Sequence, residues 1–462
     1  MVERDASRRA RAAGGRVPAR VGRGVGGPRR PRTRQSRRQR RAAGAGCVQA
    51  RAGRRHRAPS RALARRAPRH AGWAHDRGRA SGAAAAAGEG AGGVRIATLA
   101  NASAVHARRW VEHFRARGHT VGLWSLEPGP PDLPHSRLPR APLPGWLRYP
   151  LALPALARAL AGFAPDLVDA HFVPNYGLLG ALSGRRPLAV TAWGSDLLTV
   201  GPRDALRRSR ARFVIARADA VLVDAENLGA AARALGAATE RLHVIPWGVD
   251  RARFRPGPSR EPGLLVSARM HERLYDLPTL IAGVRPALER LPHARLVIAG
   301  DGSMRPGLER LARAKLPAGR FEFVGRLEPG ALAELLGRAE IYLSASLSDS
   351  TSVSLLEAMA SCAVPVVSDI EGNREWVGEG EGARLFPPGD SAALARALEH
   401  ALDDSAWREA ARGRNLRVIA ERGDWSANLG RIEALFARLA AESEGGRPHG
   451  HAPSRSSRGG RG

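Results

Sequence analysis

The stretch SLSDSTSVSLLEAMASCAVPVVSDIEGNREW, residues 346–376, decides how the chain is read. Asp349 stands eight positions before Glu357. The polar run between them leads into an apolar, helix-like stretch, LLEAMA, and then into VPVVS, which reads as a buried strand. A loop entering a helix offers unpaired backbone N–H groups at the positive end of the helix dipole, and so a seat for phosphate. A carboxylate one turn further in, Glu357, cannot help a phosphate but can accept hydrogen bonds from ribose hydroxyls. That division of labour points to a site for a nucleotide sugar. Ser354-x-x-Glu357 is also the pattern of a capping box, in which the Glu side chain turns back to a backbone N–H. On this pattern alone the two readings are level.

Outward from this stretch the chain alternates strands and helices. VRIATLA (94–100), a helix through His106–His119 and TVGLWSL (120–126) form a βαβ unit, so a parallel sheet is expected. Gly118 is read as the cap that ends the helix. PDLVDAH (165–171), PLAVTAW (187–193), AVLVDA (220–225) and HVIPWGVD (243–250) continue as strands with helical runs between them. The loop-like stretch 251–263 marks a domain boundary. A second set follows: GLLVSAR (263–269), RLVIAGDG (295–302), FEFVG (321–325), IYLSAS (341–346) and VPVVS (364–368). The expectation is α/β, with two doubly wound Rossmann-like domains facing across a cleft. Ligands of such sheets bind at the carboxyl ends of the strands, at topological switch points.

The formal charge of +31 is unevenly spread. Residues 1–93 hold 25 arginines against four acids, and residues 447–461 hold four more arginines. The remaining 45 basic and 39 acidic residues leave the rest of the chain only mildly basic. The first 92 residues lack aliphatic periodicity and are expected to be disordered. Three readings compete for them: a nucleic-acid-binding tail, a transit peptide, or upstream sequence read through from a misplaced start in a GC-rich gene. One Lys against 73 Arg suits the last. The arginine runs have no aromatic interleaving, so no specific nucleic acid partner is expected. Two cysteines, Cys47 and Cys362, make neither a disulfide framework nor a metal cluster. No apolar run approaches the ~20 residues that span a bilayer. The expected location is cytoplasmic, with peripheral contact at the inner face of the plasma membrane open through residues 145–160.

The stretch 346–376 resembles the donor-site signature of retaining glycosyltransferases of family 4, glycosyl transferases group 1 with the GT-B fold, whose usual pattern is acid-x7-Glu. A subgroup with SLSDGTSVSLLEAM is the nearest in pattern; Ser350 stands where that pattern has glycine. The resemblance implies five segments: an extension over 1–92, an acceptor-side domain over 93–252 and a nucleotide-sugar domain over 253–423. A helix over 424–442 that crosses back to the first domain and a disordered tail over 443–462 complete the set. It implies transfer of a hexosyl unit from a nucleotide diphosphate sugar, with retention, to a glycan, lipid-linked or small-molecule acceptor. Neither metal nor other cofactor is called for. A GT-B epimerase-like enzyme is the alternative within the fold, and a nucleic-acid-binding protein the alternative outside it.

Carried over residue by residue, the resemblance implies that His171, Asp349 and Arg269 are catalytic. Donor contacts fall to Arg269, Arg273, Gly300, Gly302, Asp349, Ser352, Val353, Ser354 and Glu357. Asn101, His106, Arg109, Trp193 and Asp196 fall on the acceptor side. The family commonly has a Lys five residues after the Arg at 269, and here that position is Leu274. Arg273 either supplies the missing charge or is a solvated surface residue. His171 either contacts the sugar or packs against Phe172 and Tyr176, and Asp196 either serves the acceptor or caps a turn. Gly300-Asp301-Gly302 after a strand is a weak signal by itself, since such turns are common in α/β proteins.

Overall fold

The computed structural model describes residues 93–143, 147–200 and 204–445. The extension over 1–92 and the end of the tail, 446–462, lie outside the described residues. Seven strands make the first sheet: β1 (Arg95–Leu99), β2 (Thr120–Ser125), β3 (Ser136–Arg137), β4 (Leu167–His171), β5 (Leu188–Thr191), β6 (Ala220–Val223) and β7 (Leu242–Val244). All pairs are parallel, in the order β3-β2-β1-β4-β5-β6-β7. Parallel neighbours need crossovers. Helices α1 (Val105–Ala116), α2 (Arg148–Leu151), α3 (Leu153–Phe163), α4 (Leu178–Ser183), α5 (Ala205–Arg217) and α6 (Glu226–Ala234) supply them.

The second sheet has β8 (Leu264–Ala268), β9 (Arg295–Ala299), β10 (Phe321–Gly325), β11 (Ile341–Ser344), β12 (Val364–Ser368) and β13 (Arg384–Phe386). Its order is β10-β9-β8-β11-β12-β13, again all parallel. Helices α7 (Leu277–Arg290), α8 (Arg305–Lys315), α9 (Pro329–Arg338), α10 (Val353–Ala360), α11 (Glu371–Arg374), α12 (Ser391–Asp403) and α13 (Ser405–Arg422) surround it. β4, β5, β6 and β12 are buried along their whole length, as strands covered on both faces must be.

Both sheets reverse their order beside their first strand, between β1 and β4 and between β8 and β11. Neighbouring chains leave the sheet in opposite directions there and open a crevice. His171 ends β4 at one crevice, and Arg269 follows β8 at the other.

The chain returns to the first sheet by α14 (Trp425–Gly445). The Val249 N–H donates to the Gly423 carbonyl at 2.7 Å, and the Trp425 N–H to the Val249 carbonyl at 3.1 Å, so both crossings between the halves run side by side. Leu429, Ile432 and Phe436 of α14 share one core with Ile96, Trp110 and Phe114. The Phe114 and Phe436 rings stack at 5.4 Å.

Two of the expected elements have other ends than the sequence reading gave them. The strand expected over 243–250 stops at Val244, because Pro246 cannot donate to a ladder, and Trp247 turns inward instead. The last helix runs to Gly445, past the expected end at 442.

Candidate active site

Arg269 is 8% exposed and sits where β8 ends beside β11. One of its terminal nitrogens donates to Ser352 Oγ at 2.5 Å and to Ser354 Oγ at 2.9 Å; the other bonds Asp349. The Tyr275 ring lies under its guanidinium at 4.3 Å. The loop after β11 therefore folds around one guanidinium and feeds α10.

Ser352 is the N-cap of α10, accepting from the Leu355 N–H at 3.4 Å. Ser354 lies inside the first turn, with its hydroxyl 2.7 Å from Tyr342 Oη. The Ser354–Glu357 capping box is thus not formed, since the N-cap position belongs to Ser352 two residues earlier. The Glu357 carboxylate makes no hydrogen bond among the described residues and lines the cleft. Burial pushes its carboxyl up to about 7, against the pull of Arg109, Arg269 and Arg253.

Three cavities meet in this cleft. The central one, about 300 Å³, is bounded by Arg269, Asp349, Ser352, Val353, Ser354 and Glu357 from the second half, and by His106, Arg109, Trp193 and Asp224 from the first. A wider one, about 910 Å³, shares Arg109 and Glu357 with it and extends along Arg326–Leu332. The third, about 360 Å³, lies at the first switch point and shares His106 and Trp193 with the central one. Asn101, Glu127, Arg148, His171 and Tyr176 line this third cavity.

His171 points Nε2 at Asp169 Oδ2, 2.8 Å away, and Thr191 Oγ1 donates to the other carboxylate oxygen at 2.8 Å. A buried carboxylate on one ring nitrogen fixes which nitrogen faces the ligand. His171 Nδ1 has no partner among the described residues. The ring also packs edge-on against Trp110 at 5.2 Å, rather than on the expected Phe172 and Tyr176, while lining the third cavity. His106 stacks on Trp193 at 4.7 Å and joins two cavities. The His106 side chain is open to the cleft, and partial desolvation, then Arg109 and His171, lower its pKa.

Four residues of the sequence reading stand elsewhere. Asp196 is fully buried and accepts from the Val173 and Trp193 N–H groups, both at 3.0 Å, so it pins two loops, and it lines none of the three cavities. One of those loops holds Phe172 at φ 70°, a strained conformation that such a tether maintains. Arg273 is exposed and lines none of the three cavities, because the turn Arg273–Tyr275 carries its side chain outward. Gly300 and Gly302 do not line them either. A Cβ at Gly300, φ 127°, would stand 2.1 Å from the Arg269 carbonyl, so this glycine lets the β9 loop close behind Arg269.

Asp224 was not anticipated. It directly follows β6, is 3% exposed and faces the central cavity from the first half. A lone Asp after VLV carries no spacing signal. Burial pushes its carboxyl up to about 8; the Ser350 hydroxyl opposes the shift and Asp349 adds to it. Among the described residues, no group of three His, Cys, Asp or Glu side chains is placed to hold a metal ion.

Comparison with known proteins bears on this arrangement. The family model for Glycosyltransferase Family 4 matches residues 103–253, and that for Glycosyl transferases group 1 matches residues 261–404. The chain belongs to this family. Sulfoquinovosyl transferase SQD2 of Arabidopsis thaliana is 29% identical over 316 residues, 63% of this chain and 61% of that protein. Phosphatidyl-myo-inositol mannosyltransferase of Mycolicibacterium smegmatis is 28% identical over 199 residues, 42% of this chain and 50% of that protein. The chain thus spans half to three-fifths of these relatives' length. Among solved structures, sucrose-phosphate synthase from Thermosynechococcus elongatus superposes with a TM-score of 0.65 at 21% identity, over 75% of this chain and 99% of that one. Anabaena HepE in complex with UDP and glucose gives 0.64 at 16%, over 75% and 100%. The family member's fold is GT-B.

Proposed function

We propose that this protein transfers a hexosyl unit from a nucleoside diphosphate sugar to an acceptor hydroxyl, with retention at the anomeric carbon. The observation that carries the reading is the convergence of Arg269, Ser352 and Ser354 at the second switch point, one helical turn from a carboxylate with no hydrogen bond of its own. Arg269 and the start of α10 suit a diphosphate. Glu357 suits a ribose, and the wider cavity beyond it has room for the base. The hexose then lies toward His106 and Trp193, and the acceptor in the cavity of His171.

In the reaction the C1–O bond to the diphosphate breaks, and its electron pair goes to the departing phosphate oxygen. The acceptor oxygen bonds to C1, and its proton passes to that phosphate oxygen. Donors already aimed at the diphosphate lower the barrier by meeting the charge as it grows. A double displacement needs a free carboxylate beside C1. Asp349 is bonded to Arg269, and burial holds Asp224 protonated at neutral pH. Attack from the face the leaving group departs is therefore preferred.

The acceptor is a lipid-linked or glycan hydroxyl. Two relatives named above transfer sugars, one of them by name onto phosphatidyl-myo-inositol. Leu147 and Leu151 are 44% and 55% exposed beside Arg148 and Tyr149, at the third cavity, which suits peripheral contact with a membrane. No helix among the described residues is long and apolar enough to cross one. The test is product analysis: a panel of labelled nucleotide sugars with lipid and glycan acceptors, the new linkage assigned by NMR. A glycoside of the donor's anomeric configuration supports the reading. An epimerised nucleotide sugar formed without acceptor overturns it.

A further inference from the structure

Arg269 brings the central cavity one guanidinium, and that guanidinium is already bonded to Asp349, Ser352 and Ser354. A diphosphate leaving group carries more charge than such a group can meet. Arg109, on α1 of the first half, is the other arginine lining this cavity, and it lines the wider one as well. It is half-buried and makes no ion pair or hydrogen bond among the described residues. Its contact is with the Trp425 ring, 4.1 Å from the guanidinium carbon. Trp425 opens α14 and is itself tied to Val249, so the stack holds the arginine at the point where the two halves join. Glu357 and Asp250 are the acids whose fields reach it, and Arg253 the base. Arg253 pairs with Asp250 at 3.8 Å; both line the wider cavity and neither lines the central one.

Resting on the donor reading above, we propose that Arg109 is the second cation of the diphosphate site, supplied across the cleft rather than from the half that holds the nucleotide. The sequence reading put this residue on the acceptor side; its place in both donor cavities assigns it to the leaving group. A planar guanidinium can grip two phosphate oxygens at once. Because it belongs to the first half, full diphosphate affinity requires the two halves to be together, and an open cleft releases the product. Arg109 is a binding residue on this account, and it stabilises departing charge without itself reacting.

The experiment titrates UDP, GDP and ADP, and the matching nucleosides, into the full-length protein and into Arg109→Ala. For the diphosphate that the unaltered protein binds best, the variant should lose about 10- to 100-fold, the loss expected for a charge-assisted hydrogen bond or two. Affinity for the nucleoside should stay within about twofold, which also reports that the variant is folded. Equal losses for diphosphate and nucleoside, or no loss for either, overturn the inference while leaving the donor reading intact. If the unaltered protein binds none of the three diphosphates, the donor reading falls and this inference falls with it.

Discussion

The Ser350 hydroxyl donates to Asp224 Oδ2 at 3.1 Å, from the loop after β11 in the second half to the end of β6 in the first. Thr351 Oγ1 donates to the Asp224 carbonyl at 2.8 Å, and Asn227 Nδ2 to the Asp349 carbonyl at 3.0 Å. Glu375 caps α6 from the other side, accepting from the Glu226 and Asn227 N–H groups at 2.9 Å. Gly194, φ 95°, makes room: a Cβ there would stand 2.7 Å from Ser350 Oγ. The loop that carries Asp349, Ser352 and Ser354 is thus docked on the first half by its own backbone and hydroxyls.

That docking should depend on pH through Asp224. Burial raises its pKa to about 8, far above the ~4 of an unfolded chain. Between those values the folded state holds a proton the unfolded state lacks, so this group's contribution to stability falls as pH rises. Asp224→Asn has no proton to lose. Thermal melts from about pH 5 to pH 8 should show a flatter profile for the variant, with its advantage over the unaltered protein growing toward pH 8.

Glu357 titrates lower, at about 7, again through burial. The ionised carboxylate is the better acceptor for ribose hydroxyls. Nucleoside affinity should therefore rise from about pH 6 to pH 8 and level off above, and Glu357→Gln should bind weakly with no such rise. Calorimetry with a nucleoside, which carries no phosphate to titrate, reads this directly.

At the other switch point, Asp169 should act only through His171. Asp169→Asn still bonds the ring but no longer favours one tautomer. Turnover should fall roughly 10- to 100-fold, with affinity for the nucleoside diphosphate unchanged, as for a partner that orients a functional imidazole. Matched losses in both would mean that the substitution merely disrupts β4.

Arg273→Ala should leave nucleoside diphosphate affinity and turnover within about twofold of the unaltered protein, as is usual for an exposed side chain away from the site. A steady-state comparison with Arg109→Ala sets the arginine that the sequence left open against the one that lines the central cavity.

Most strands were legible because their residues alternate regularly with helical stretches, and VPVVS and LLEAMA carry their burial openly. α13 was not. Its buried face carries Arg408, Arg412 and Asn415 beside Ala411 and Ile419, so polar side chains occupy the positions where an apolar stripe would announce a helix. Arg408 and Arg412 are tolerated there because carbonyls of Ala401, Leu402 and Cys362 accept from them. β3 and β13 have two and three residues and leave no period to read. Within the site, Asp349, Ser352, Ser354 and Glu357 share one motif, whereas Asp224 and the donor-side position of Arg109 arise only when the halves meet. Asp196 shows the reverse: an acid at a strand end looks functional until both oxygens are found on backbone N–H groups.

On the proposed reading, the turn into α10 and the arginine behind it hold a nucleotide's phosphates while Glu357 holds its pentose. Titration of UDP, GDP and ADP into the full-length protein and into an Arg269→Ala, Glu357→Ala variant, each checked for folding by circular dichroism, measures this most directly. Tight binding of one diphosphate by the unaltered chain and a loss of at least about 100-fold in the variant are expected. Equal affinity in the two proteins would contradict the reading.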